Sequence, residues 1–136
     1  MLSPTLTTVR LFLHVLAAGV WVGGQVVLAG VVPSLRRSHP DALRALARAF
    51  AHIAWPAFGV VVVTGLWNLG EVNVTDTGIA YQITLFVKIA LAIASGAGAA
   101  VHQVGRSRAA LAAGGAIGFL AAVGAMFCGY LLTTGA

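Results

Sequence analysis

Four long apolar runs, each broken by a few polar side chains at helical spacing, alternate with short polar connections along this chain. The first run extends from Val9 to Pro33 and carries no Asp, Glu, Lys or Arg between Leu11 and Val32. At about 1.5 Å per residue that uncharged stretch makes roughly 33 Å of helix, enough to cross a bilayer core. Similar runs cover about Ala49 to Gly70, Ile79 to Gly105 and Ala109 to Thr133. The expected fold is therefore all-α: an integral membrane four-helix bundle, one domain over 1–136, with spans at about 9–33, 49–70, 79–105 and 109–133.

The connections set direction. Arg36, Arg37, Arg44, Arg48, Arg106 and Arg108 lie in or beside two of them, against Arg10 on the opposite side. By the positive-inside rule those connections are cytoplasmic, and both termini lie on the non-cytoplasmic side, as suits a bacterial inner membrane. The segment Glu71 to Thr77 has acidic residues and no Lys or Arg, so it is expected to face outward. Met1 to Val9 has no basic residue and leads into a run too long for a secretory signal, which makes that run a span. Between spans one and two, DALRALARAF (41–50) spaces its arginines four apart and reads as a helical lead-in, with Asp41 expected to cap its start. Pro56 lies inside the second run and is expected to kink it without breaking it.

Composition agrees: 60% of the residues are hydrophobic and 8% charged, where soluble domains carry about 25% charged. The net charge of +5 comes from arginines in the connections, a pattern of membrane orientation that leaves no nucleic-acid face. Cys128 is the single cysteine, so no disulfide forms within one chain, and no C-x-x-C-H motif is present for covalent haem.

Polar residues inside the spans carry the candidate chemistry. At 3.6 residues per turn His14, Ala18, Trp21 and Gln25 share one stripe of the first helix, and Tyr81, Thr84, Lys88, Ser95 and His102 share one of the third. Lipid offers these groups no hydrogen bonds, so the stripes are expected to face inward. Counted along the axis, His14 and Lys88 fall in an outer layer, while His52 and His102 fall near the inner ends of their spans. Plainer roles compete: interfacial histidines for His52 and His102, a hydrogen-bonded core histidine for His14, a snorkelling amine for Lys88. Trp21, Trp55 and Trp67 suit packing or an interfacial belt, or a wall for a flat cofactor. The spacings Gly19-xxx-Gly23 and Gly114-xxx-Gly118 mark faces for close helix packing or a homodimer. Met126 and Cys128 are soft ligands suited to copper(I), but two residues apart they splay onto different faces.

Imidazoles projecting from several helices into a bundle are the usual axial clamp for haem iron. This reading makes His14 the leading ligand of a haem b, His52 and His102 a second axial pair, Trp21 a cofactor contact, and Arg10 a partner for a propionate. Lys88 would be an electrostatic or catalytic partner in a haem-dependent membrane oxidoreductase or electron carrier, with a quinone or a redox protein as its partner. Two other classes stay open. One is copper handling through His14, Met126 and Cys128; the other is a structural or assembly subunit whose stripes only pack.

Arg10-xxx-His14-xxxxxx-Trp21-x-Gly23-Gly24 followed by Val32-Pro33 resembles the first helix of the copper resistance D (CopD) domain and of HemJ-type protoporphyrinogen oxidases. Thr64-Gly65-xx-Asn68 and Lys88 fit the same pattern, so the resemblance spans roughly residues 10 to 105. It implies a four-helix membrane unit and, from the HemJ branch, haem binding in which His14 and Lys88 matter; the copper branch implies copper uptake. The chain departs from both, with no methionine or histidine cluster in its outward segments and Pro33-Ser34-Leu35-Arg36 where HemJ proteins have Pro-Arg-Leu-Phe.

Overall fold

A computed structural model describes residues 3–135, and it is all-α. The helices are α1 (Leu6–Ser38), α2 (Ala42–Gly70), α3 (Ile79–Val104) and α4 (Arg108–Thr134), with a single 3₁₀ turn at Val74–Asp76 before α3. All four helices are long and apolar enough to cross a membrane. Their outward side chains, among them Phe12, Val63, Phe86 and Leu120, are large and apolar, the surface that lipid solvates at no polar cost. The chain is an integral membrane protein.

Side-chain caps open two of the four helices. Thr5 opens α1 with a reciprocal cap: its hydroxyl accepts from the Thr8 backbone N–H, and the Thr8 hydroxyl accepts from the Thr5 N–H. These bonds satisfy donors that a helix start leaves exposed. Ser107 caps α4 with a single bond, its hydroxyl accepting from Ala110 N–H. Asp41 stands at the start of α2, but its side chain caps nothing, contrary to expectation. Its backbone is already helical (φ −69°, ψ −27°), whereas a capping side chain needs the extended conformation to reach back over the first turn. Backbone bonds from Ala42 N–H to His39 O and Leu43 N–H to Pro40 O form the turn instead.

The two inner prolines do not end their helices. α1 continues through Pro33 to Ser38, and α2 runs unbroken through Pro56. Each proline removes one backbone donor, a loss the flanking turns tolerate. DALRALARAF is continuous with the second span, as its arginine spacing predicts.

The chain divides into two compact units, one up to Val72 and one from Asn73. In the first, α1 and α2 pair antiparallel. Trp21 packs its ring 4.5 Å from Phe58 and 5.5 Å from Trp55, and Gly24 leaves room for the ring of Phe50. In the second, α3 and α4 pair antiparallel with backbones in near contact. A Cβ added at Gly98 would lie 2.5 Å from Gly118 N, and one at Gly114 would lie 2.6 Å from His102 N. Ser95 completes this seam by donating to Gly118 O at 2.9 Å.

A polar ladder between the first two helices

The facing sides of α1 and α2 carry polar groups where they meet near Arg10 and Glu71. α1 contributes Arg10 and His14, one turn apart; α2 contributes Thr64, Asn68 and Glu71, on one stripe at spacings of four and three. Antiparallel pairing sets His14 opposite Thr64 and Arg10 opposite Glu71. Asn68 occupies the intervening rung.

The His14 rung has a definite polarity. Thr64 is buried, at 4% exposure, and its hydroxyl lies 2.6 Å from Val60 O and 2.8 Å from His14 Nδ1. A carbonyl can only accept, so the single hydroxyl proton points to Val60 O and the oxygen accepts from His14 Nδ1–H. The neutral imidazole therefore carries its lone pair on Nε2. Gly65 makes room for the ring, since a Cβ there would stand 3.4 Å from His14 Cε1. An oxygen on Nδ1 that sets tautomer and ring orientation is the usual outer support of a metal-ligating histidine.

In the Arg10 rung the arginine is buried and its partner Glu71 is exposed. The guanidinium is 8% exposed, with Nη1 3.6 Å from Glu71 Oε1 and its carbon 5.8 Å from the centre of the Trp67 ring. Trp67 Nε1–H donates to the same carboxylate oxygen at 3.3 Å. A buried charge needs a counter-ion, and Glu71 supplies one. Two polar atoms of this end remain buried with no hydrogen-bond partner: Arg10 Nε and Asn68 Oδ1.

Trp21 is 5% exposed and sits in the aromatic cluster with Trp55 and Phe58, two turns from His14. Gln25, on the same stripe, donates back to Trp21 O. His52 is exposed on α2, about 18 Å from Thr64 along the helix axis, so it cannot share one iron with His14. In the second unit His102 is exposed and its Nδ1 lies 2.6 Å from Leu111 O, which leaves the lone pair of the neutral ring on Nε2. Lys88 is half-buried, its ammonium against Gly129, where a Cβ would lie 3.2 Å from Nζ. Met126 is exposed and Cys128 buried, the splay that their spacing predicts. No group of three His, Cys, Asp or Glu side chains able to hold a metal is found among the described residues. Axial ligation of a haem iron needs only one or two protein ligands.

Sequence reading singled out Arg10 and His14 but not what they meet. Glu71 belongs by composition to the outward connection, although its spacing from Thr64 and Asn68 places all three on one helical face. The fold and this ladder define an integral membrane protein with a tautomer-fixed histidine and a buried arginine paired to an exposed glutamate within one helix pair. No family model, curated protein or solved structure matches the chain.

Proposed function

We propose that this chain binds haem b in the membrane and serves electron transfer or a related redox reaction, with His14 as an axial ligand. One observation carries the reading: a histidine inside a membrane-spanning helix is held through Nδ1 by a buried hydroxyl whose own proton is committed to Val60 O. That arrangement presents the lone pair on Nε2, the nitrogen that would ligate iron. The group would supply one-electron chemistry when bound; the protein's part is to fix the ring and to surround it with apolar residues. Arg10 lies one turn away with Glu71 as counter-ion, so a propionate there would share the guanidinium with that carboxylate. His102, held the same way by Leu111 O, and His52 are the candidates for further ligation near the opposite helix ends. Lys88 is the candidate electrostatic or catalytic group of the second unit. The resemblance to copper resistance D and HemJ-type proteins supports haem more than copper, because Met126 and Cys128 diverge. A quinone or a redox protein is the expected electron partner.

The test is an absorption spectrum of the full chain purified after expression with ample haem supply. A Soret band is expected, abolished or much weakened by His14→Ala and lowered by Thr64→Val. A colourless protein, or a band indifferent to His14→Ala, overturns the assignment.

A further inference from the structure

The end of the first helix pair holds two unmet hydrogen-bonding atoms of opposite character. Arg10 Nε–H is a donor and Asn68 Oδ1 an acceptor, and both are buried without a partner. Such atoms cost about 1–3 kcal/mol each when left unmet, more for a charged group, so two of them on one face call for an explanation. Arg10 meets Glu71 and His14 meets Thr64, and Asn68 projects from the α2 face between those contacts. The donor and the acceptor therefore lie on adjoining rungs of one helix pair.

Three features restrict what can meet both. Glu71 pairs with Nη1 of Arg10, so the unmet atom is the Nε–H alone, and a neutral group can meet it. It must offer an acceptor to Nε–H and a donor to Oδ1, which a single hydroxyl does. The site lies in the first turns of α1 and the last turns of α2, beside the half-exposed indole of Trp67, with exposed Leu11, Phe12 and Leu66 around it. A planar hydroxylic ring with an apolar tail suits that setting.

We propose that Arg10 Nε–H and Asn68 Oδ1 form the head-group site of a membrane quinol, the ring hydroxyl accepting from the arginine and donating to the amide. Preferring a quinol over another hydroxylic ring rests on the redox reading of the chain; the hydrogen-bond complement does not. Asn68 and Arg10 act here as binding residues, and His14 takes no part in holding the ring.

The experiment is anaerobic calorimetric titration of the full chain in lipid nanodiscs with decylubiquinol, against empty nanodiscs. A parallel titration uses the 1,4-dimethyl ether of the same quinol, which keeps ring and tail but cannot donate. Saturable binding of the quinol is expected, with affinity for the ether at least about tenfold weaker. Arg10→Lys keeps a cation opposite Glu71 but removes the Nε–H, and Asn68→Leu removes the acceptor; each is expected to weaken the quinol about tenfold or more. Arg48→Ala, at the far end of α2, is expected to bind as wild type. Equal affinity for quinol and ether overturns the proposal; so does the absence of saturable binding. The ether comparison uses only the wild-type chain, so a variant that fails to fold does not remove the test. The Soret band is read on the same samples. A band without quinol binding sinks this site alone, whereas quinol binding without a band keeps the site and sinks the haem reading.

Discussion

Replacing Thr64 by valine keeps the side-chain shape and deletes only the hydroxyl, which makes it the sharpest probe of the His14 rung. The hydroxyl is buried and accepts from His14 Nδ1 at 2.8 Å. Its own bond to Val60 O duplicates a carbonyl already bonded within the helix, so its loss adds little. An unpaired Nδ1–H inside the helix pair costs about 1–3 kcal/mol, while interhelical side-chain bonds in membrane proteins couple by about 0.6 kcal/mol on average and up to about 1.7. A coupling near the upper end is expected, because one partner is fully enclosed. The assay is a double-mutant cycle of Thr64→Val and His14→Leu in denaturant unfolding of the detergent-solubilised chain. Tryptophan emission can follow it, since Trp21 and Trp55 lie in the same helix pair. Nitrogen-15 spectra of the histidine side chains should show His14 protonated at Nδ1, with Thr64→Ser preserving that tautomer and Thr64→Val disturbing it. Strictly additive mutations, or a wild-type His14 protonated at Nε2 alone, would refute the assignment of donor and acceptor.

Other expectations follow from the packing of each unit. Gly98→Ala and Gly114→Ala put a methyl group into opposing backbone, which no side-chain rotation relieves; each should destabilise the α3–α4 pair by about 1–3 kcal/mol, read as a lower unfolding midpoint. Gly19→Ala and Gly23→Ala meet nothing within 4 Å, and should be neutral or stabilising by up to about 1 kcal/mol through helix propensity; a marked loss would show that their face is packed. Ser95→Ala removes the buried bond to Gly118 O and should cost about 1 kcal/mol in the same unfolding assay. Gly115→Ala would place a methyl group 2.9 Å from His102 Nδ1 and so displace the ring from Leu111 O. Its cost should largely vanish in a His102→Ala background, and additivity would contradict the contact.

The sequence by itself determined what depends on neighbours along the chain. Four spans follow from uninterrupted apolar runs, because a backbone in lipid must satisfy its hydrogen bonds internally and only a helix does so within one segment. The polar stripe of α1 that faces α2, the helical lead-in at 41–50 and the divergence of Met126 from Cys128 follow from the 3.6-residue period alone, whereas the stripe of α3 is inward only in part, since His102 is exposed. Where local reading failed, a backbone angle decided: Asp41 has a capping side chain but a helical conformation, and its residue type does not reveal that. The glycine spacings at 19/23 and at 114/118 look alike in sequence, yet only the second lies against another backbone. Likewise, nothing along the chain says that His14 meets Thr64, that Arg10 meets Glu71, or that Asn68 stands between them without a partner. Those pairings depend on the register at which two helices cross. That register comes from how ridges, small residues and rings such as Trp21 and Phe58 fit together across many turns, so it exists only in the folded pair.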